Sequence, residues 1–143
     1  MTLLELAAVT FILGLLGVMA ATRYGSSAIA DVSAQGFARR IALDCSHARR
    51  LAIATGDNHF LQFTIVGGQA TQYALYRRQG AGTTLVDDIR AVPADVTVTT
   101  GGASDLEFTF VGEALASYTI TVQAPDRSLS VTVPQVTGKA FLD

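Results

Sequence analysis

Residues 1–25 read MTLLELAAVTFILGLLGVMAATRYG, and the fold turns on how they are read. The run from Leu6 to Ala21 is apolar, and Glu5 is the only charged side chain before Arg23. As a helix, residues 1–21 span about 31 Å at 1.5 Å per residue. The hydrocarbon layer of a bilayer is about 30 Å thick. A secretory signal peptide needs a basic leading region and a small-residue cleavage site, and no base precedes the run. An ordinary anchor fits the length but leaves Glu5 unexplained, because a carboxylate in hydrocarbon costs a few kcal/mol at mid-bilayer and less near its edge.

Two roles are open to Glu5. Thr2-Leu3-Leu4-Glu5 has the T-x-x-E spacing of a capping box, and a negative charge there suits the positive end of the helix dipole, worth about 1 kcal/mol. Alternatively, Glu5 forms an ion pair with a positive group on another chain, the free amine of Met1 being the natural candidate. The two are compatible as a cap in the membrane and a pair in an assembly. Gly14 and Gly17 interrupt the run. They either lower helix propensity locally, at roughly 1 kcal/mol each, or let neighbouring helices approach closely.

Downstream, Ile29, Val32, Phe37, Ile41, Cys45, Ala48 and Ala52 recur at spacings of three to five residues, most of them on one stripe of a 3.6-residue period. Arg39, Arg40, Asp44, Arg49 and Arg50 lie mainly off it. Gly25-Ser26-Ser27 is expected to loosen the helix between its two halves. Thr55-Gly56-Asp57-Asn58 carries a stop signal. After Asn58 the texture becomes β-branched and aromatic. His59–Val66 alternates, Gly67-Gly68 is a hairpin turn signal, and Thr71–Arg78 is its return strand. Further strands are expected at Thr83–Ala91, Val96–Thr100, Leu106–Val111, Tyr118–Gln123 and Ser128–Val133. The fold class is therefore α+β. Residues 1–24 form a hydrophobic transmembrane or filament-core helix. Residues 25–143 form a globular domain, with helix 25–55 packed on antiparallel β-strands within 58–141.

Composition agrees with one modest domain plus an apolar extension. The 143 residues are half apolar, only 15% charged, and carry a formal net charge of -2; a typical soluble domain is about 25% charged. Neither a strongly basic nor a strongly acidic partner is indicated. The single cysteine, Cys45, excludes an intrachain disulfide, and no zinc-binding Cys/His spacing exists.

The stretch TLLELAAVTFILGLLGV, residues 2–18, resembles the N-terminus of mature type IV pilins and type II secretion pseudopilins. Met1, Thr2, Leu3 and Glu5 stand where that family has an apolar residue, Thr, Leu and Glu. Thr22 departs from the proline that many pilins carry at that place. A second stretch, FARRIALDCSHARRLAIATGDNHFLQF at residues 37–63, is similar to the GspH/FimT group, as is VPQVTGKAF at 133–141. The resemblance implies a pilin fold; a membrane-anchored enzyme ranks far below, because no catalytic constellation in the sequence supports one. It implies a precursor whose leader is removed by a prepilin peptidase, which then methylates residue 1. Met1 would be that processed residue, with an initiator methionine as the alternative. It further implies residence in a bacterial inner membrane. An assembly platform then extracts the subunits into a helical homopolymer, or a filament shared with other pilins or pseudopilins, as an extracellular pilus or a periplasmic pseudopilus. Met1 and Glu5 would carry assembly, and Leu3, Leu6, Val9, Phe11, Ile12, Leu13, Leu15, Leu16 and Val18 the filament core. The alternative is a minor tip subunit that binds DNA or a secretion substrate.

The sequence offers little chemistry beyond this. His47 and His59 lack companion ligands at metal-binding spacing. Cys45 lies on the apolar stripe and reads as a small buried hydrophobe. Asp87-Asp88 and Asp105/Glu107 lack calcium-loop spacing. No P-loop or G-x-S-x-G motif is present, so neither cofactor nor metal is expected. The doublets Arg39-Arg40, Arg49-Arg50 and Arg77-Arg78 are the candidate nucleic-acid contacts. With an acidic total they read more simply as solvated faces and salt bridges.

Overall fold

The computed structural model describes residues 2–143, without the side chains of residues 21–24 and 26. The expectations placed on Met1, as partner of Glu5 and as the methylated residue, lie outside the described residues.

One helix, α1, runs from Leu3 to Thr55, 53 residues without a break. Both ends are capped as the sequence suggests. The Glu5 N–H donates to Thr2 Oγ1 at 3.3 Å, and the Thr2 N–H donates to Glu5 Oε2 at 3.4 Å, completing the capping box. At the other end Gly56 takes a left-handed conformation, φ 75°, and its N–H donates to the Ala52 carbonyl at 3.0 Å. The loosening expected at Gly25-Ser26-Ser27 is absent: one helical glycine costs only about 1 kcal/mol, which the flanking turns outweigh.

Nine strands follow: β1 His59–Val66, β2 Gln69–Gln79, β3 Gly82–Leu85, β4 Arg90–Ala91, β5 Thr97–Thr99, β6 Asp105–Phe108, β7 Tyr118–Gln123, β8 Ser128–Val133 and β9 Phe141–Leu142. They form two antiparallel sheets. The first has the order β3-β2-β1-β6, with β4 also pairing β2; the second has the order β5-β7-β8-β9. In the first hairpin, Phe60 pairs with Tyr76 and Phe63 with Tyr73 across the Gly67-Gly68 turn.

The strands β7 and β8 fall where expected. The segment 83–91 does not form one strand. It divides into β3 and β4 around a bend at which the Asp88 N–H donates to Asp87 Oδ1 at 2.8 Å and Asp87 pairs with Arg90. The expected strand 106–111 shifts to Asp105–Phe108, because Thr109–Gly112 closes a turn through the Gly112 N–H to Thr109 carbonyl bond.

The helix packs on both sheets through Ala30, Ala34, Ala38, Ile41, Cys45, Ala48 and Ala52, all buried. Facing them are Leu61, Phe63 and Tyr73 of the first sheet and Ile120, Val122, Val131 and Val133 of the second. Small helix side chains bring the backbone close to strands that carry the bulk. This corrects the start of the expected stripe. Ile29 and Val32 are 65% and 72% exposed. Counting back from Cys45 and Ile41 in helical steps reaches Ala38, Ala34 and Ala30 instead. Phe60, on the strand face away from the helix, is also buried. Tyr76 stacks on it at 5.5 Å and the Arg78 guanidinium lies 4.8 Å above its ring.

A candidate assembly surface

The apolar half of α1 makes no use of the core. From Leu3 to Ala20 it is long and apolar enough to cross a membrane, and none of it is buried. Leu3, Leu6, Val9, Phe11, Ile12, Leu13, Leu15, Leu16 and Val18 all stand exposed, around the whole circumference. A helix apolar on every side requires lipid or other protein around it. Glu5 lies at its leading end, and its described partner is the backbone of its own cap. The capping role is thus present in the single chain, and the carboxylate remains open to solvent.

The arginine doublets do not form one basic surface. Arg49 turns inward and its Nε donates to the Gly112 carbonyl at 2.7 Å. Arg77 pairs with Asp57. Arg78 holds Glu107 by two bonds, 3.0 Å from Nε and 2.8 Å from Nη2. Arg40 Nε lies 3.8 Å from Asp44. Arg39 and Arg50 are exposed, and no ion-pair partner stands beside either among the described residues.

Asp44 anchors a cluster that the sequence did not reveal. It accepts from the Tyr73 hydroxyl at 2.7 Å and pairs with Arg90 Nε at 2.9 Å, joining helix, β2 and β4. Burial first, and then the neighbouring Asp44 carboxylate, raise the Tyr73 phenol well above its ordinary range. The partners lie far apart in sequence, so no local pattern announces them. Position gave one hint, since Asp44 adjoins the inward-facing Cys45.

Cys45 is fully buried, and that burial raises its thiol to about 12. It is therefore a packing residue, not a nucleophile at neutral pH. His59 is buried with Nδ1 3.0 Å from the Asp57 carbonyl, and His47 is exposed. Among the described residues no group of three or more His, Cys, Asp or Glu side chains could hold a metal ion.

A long helix, half sunk against antiparallel sheets and half projecting as a bare apolar rod, defines the pilin fold, shared by type IV pilins and pseudopilins. Solved structures agree. The minor pilin FimU of Pseudomonas aeruginosa superposes with a TM-score of 0.64 at 15% identity, covering 76% of this chain and 87% of that one. The minor pseudopilin EpsH from the type II secretion system of Vibrio cholerae gives 0.57 at 16% identity, covering 80% and 94%. At such identities the likeness is one of fold. No family model and no curated protein matches the sequence.

Proposed function

We propose that this chain is a structural subunit of a type IV pilus-like or pseudopilus filament. The observation that carries the reading is a core that, among the described residues, begins at Ala30, joined by unbroken helix to an 18-residue apolar rod with nothing buried. Residues 1–24 would anchor the chain in the inner membrane and later form the filament axis. Residues 25–143 would form the wall. Glu5 would pair with the amine of residue 1 on a neighbouring copy, because a carboxylate moved from water into a packed apolar axis needs a positive partner. Processing and methylation at Met1, the peptidase, and the assembly platform belong to this reading. No catalytic role, cofactor or metal forms part of it.

Glu5→Ala tests it. The substitution should leave the β-domain folded and membrane insertion intact, since Glu5 touches only the cap, while filaments are lost or form slowly. Glu5→Asp should do less harm. Assembly of Glu5→Ala at the normal rate would leave Glu5 a capping acid and nothing more.

Both named structural neighbours are minor subunits, which favours a second reading: a minor, tip-located subunit that contacts DNA or a type II secretion substrate. Stoichiometry separates the two. A fibre composed mainly of this chain supports the major role, and a few copies per fibre the minor one. For DNA, Arg40, Arg49, Arg77 and Arg78 are already engaged within the chain, which leaves Arg39 and Arg50 open among those six arginines.

A further inference from the structure

The globular half of α1 has a second pattern, roughly opposite the buried alanine stripe and bordered by β9 on one flank. Ile29, Val32, Leu43 and Ile53 are large, apolar and between 50% and 72% exposed. Together with Gly36, Arg39, Ser46 and Arg50 they follow one another at alternating steps of three and four residues. That is the spacing of a helix-packing seam. The inward stripe of alanines lies on roughly the opposite face. Gly36 leaves room for a close neighbour, since a Cβ added there would meet nothing within 4 Å. Beside the seam, Ala140 and Leu142 wall a shallow depression of about 330 Å³ whose other side is Arg39, Ala42, Leu43 and Ser46.

We propose that the Arg39–Ile53 stretch of this seam is the docking track for the apolar N-terminal helix of a second copy, held in register by Arg39 against that copy's Glu5. The proposal rests on the filament reading and goes beyond it by naming the contacting faces. Charge selects the occupant. The seam carries two exposed arginines without an ion-pair partner among the described residues, and the apolar helix carries one acid at its leading end. Copies that leave one membrane share one polarity, so the two helices run parallel.

Length selects the register. With Glu5 opposite Arg39, Val9 meets Leu43, Ile12 meets Ser46, Leu16 meets Arg50 and Met19 meets Ile53. The apolar helix is then matched over its length before α1 ends at Thr55. With Glu5 opposite Arg50, the track would end within five residues. The Arg50 stem lies along Leu16 while its head reaches water. A stagger of 34 residues, 39 less 5, corresponds to about 51 Å along the axis. A carboxylate offers about four lone-pair positions, so Glu5 accepts from Arg39 and from a terminal amine together.

The test uses the full chain in cells that assemble it. Val9→Cys combined with Leu43→Cys, oxidised with copper phenanthroline, should give a ladder of disulfide-linked multimers that neither single variant gives. Phe11→Cys with Leu43→Cys should give none, because Phe11 lies on the other side of its helix. Arg39→Glu should abolish or sharply reduce filaments, and Arg50→Glu should not. Both arginines are exposed, so neither change disturbs the core. Filaments that lack the Val9–Leu43 ladder, or that form normally with Arg39→Glu, would overturn the docking track and leave the filament reading standing. Absence of filaments from the unmodified chain would overturn both.

Discussion

Deleting residues 1–24 separates what folds this protein from what would assemble it. Among the described residues every buried apolar side chain lies at Ala30 or beyond, so the truncation removes none of the described core. It does remove eleven large apolar side chains that are between 47% and 88% exposed in the single chain. Covering one such side chain fully is worth about 1.5–3 kcal/mol. With roughly half or more of each exposed, the eleven together contribute on the order of 10 kcal/mol when they move from water into an apolar setting. On the filament reading, a membrane would already have supplied that gain, and entry into a fibre would exchange lipid for protein contacts. Outside a membrane the full amount would oppose departure of a subunit, and each 1.4 kcal/mol would slow it about tenfold. Residues 25–143 should therefore be a soluble, folded monomer that does not polymerise, measured by light scattering, circular dichroism and electron microscopy. Fibres from this fragment would show that contacts between β-domains suffice and would refute the argument. An unfolded fragment would refute the claim that the core is complete without the rod.

Further outcomes test the packing. Gly138 has φ 56°, and a Cβ there would lie 2.4 Å from the Gly112 carbonyl oxygen, so Gly138→Ala should cost about 2–4 kcal/mol in denaturant unfolding, combining backbone strain with overpacking. Gly67→Ala, with φ 60° but open space, should cost only about 1–2 kcal/mol, and equal losses would discount the clash. Cys45 should resist thiol reagents at pH 8 until the domain unfolds. Because its thiol is raised to about 12 from an ordinary value near 9.0, the unfolded chain releases this proton first. Stability should accordingly fall as pH rises from about 9 to about 12, with Tyr73 pushing the same way. Ready modification of Cys45 in the folded protein would contradict its burial.

Helix caps, the turn at Gly67-Gly68 and the strands β7 and β8 were legible in sequence because each is written locally, in a capping box, a glycine pair or a two-residue alternation. The phase of the helix was less so. Ile29 and Val32 are apolar, and hydrophobicity alone assigned them to the sheet side. The buried positions went to alanines, whose value lies in their size, and a count of apolar residues undervalues that. The ties of Asp44 to Tyr73 and Arg90, and of Arg78 to Glu107, bridge 29 or more residues and depend on how the strands are ordered. The contrast between the bare apolar half of the long helix and its packed half was visible from the start, because a run apolar on every side offers no single face to a core.

The unbroken helix also has a mechanical meaning. Its 53 residues make a rod of about 80 Å, and the two sheets hang along one side of its far half. Tension along a fibre would run from rod to rod through the axis, leaving the sheets beside the load path. What force did reach them would act as shear across the alanine-lined contact, where many side chains must slip together, and would not unzip strands one at a time.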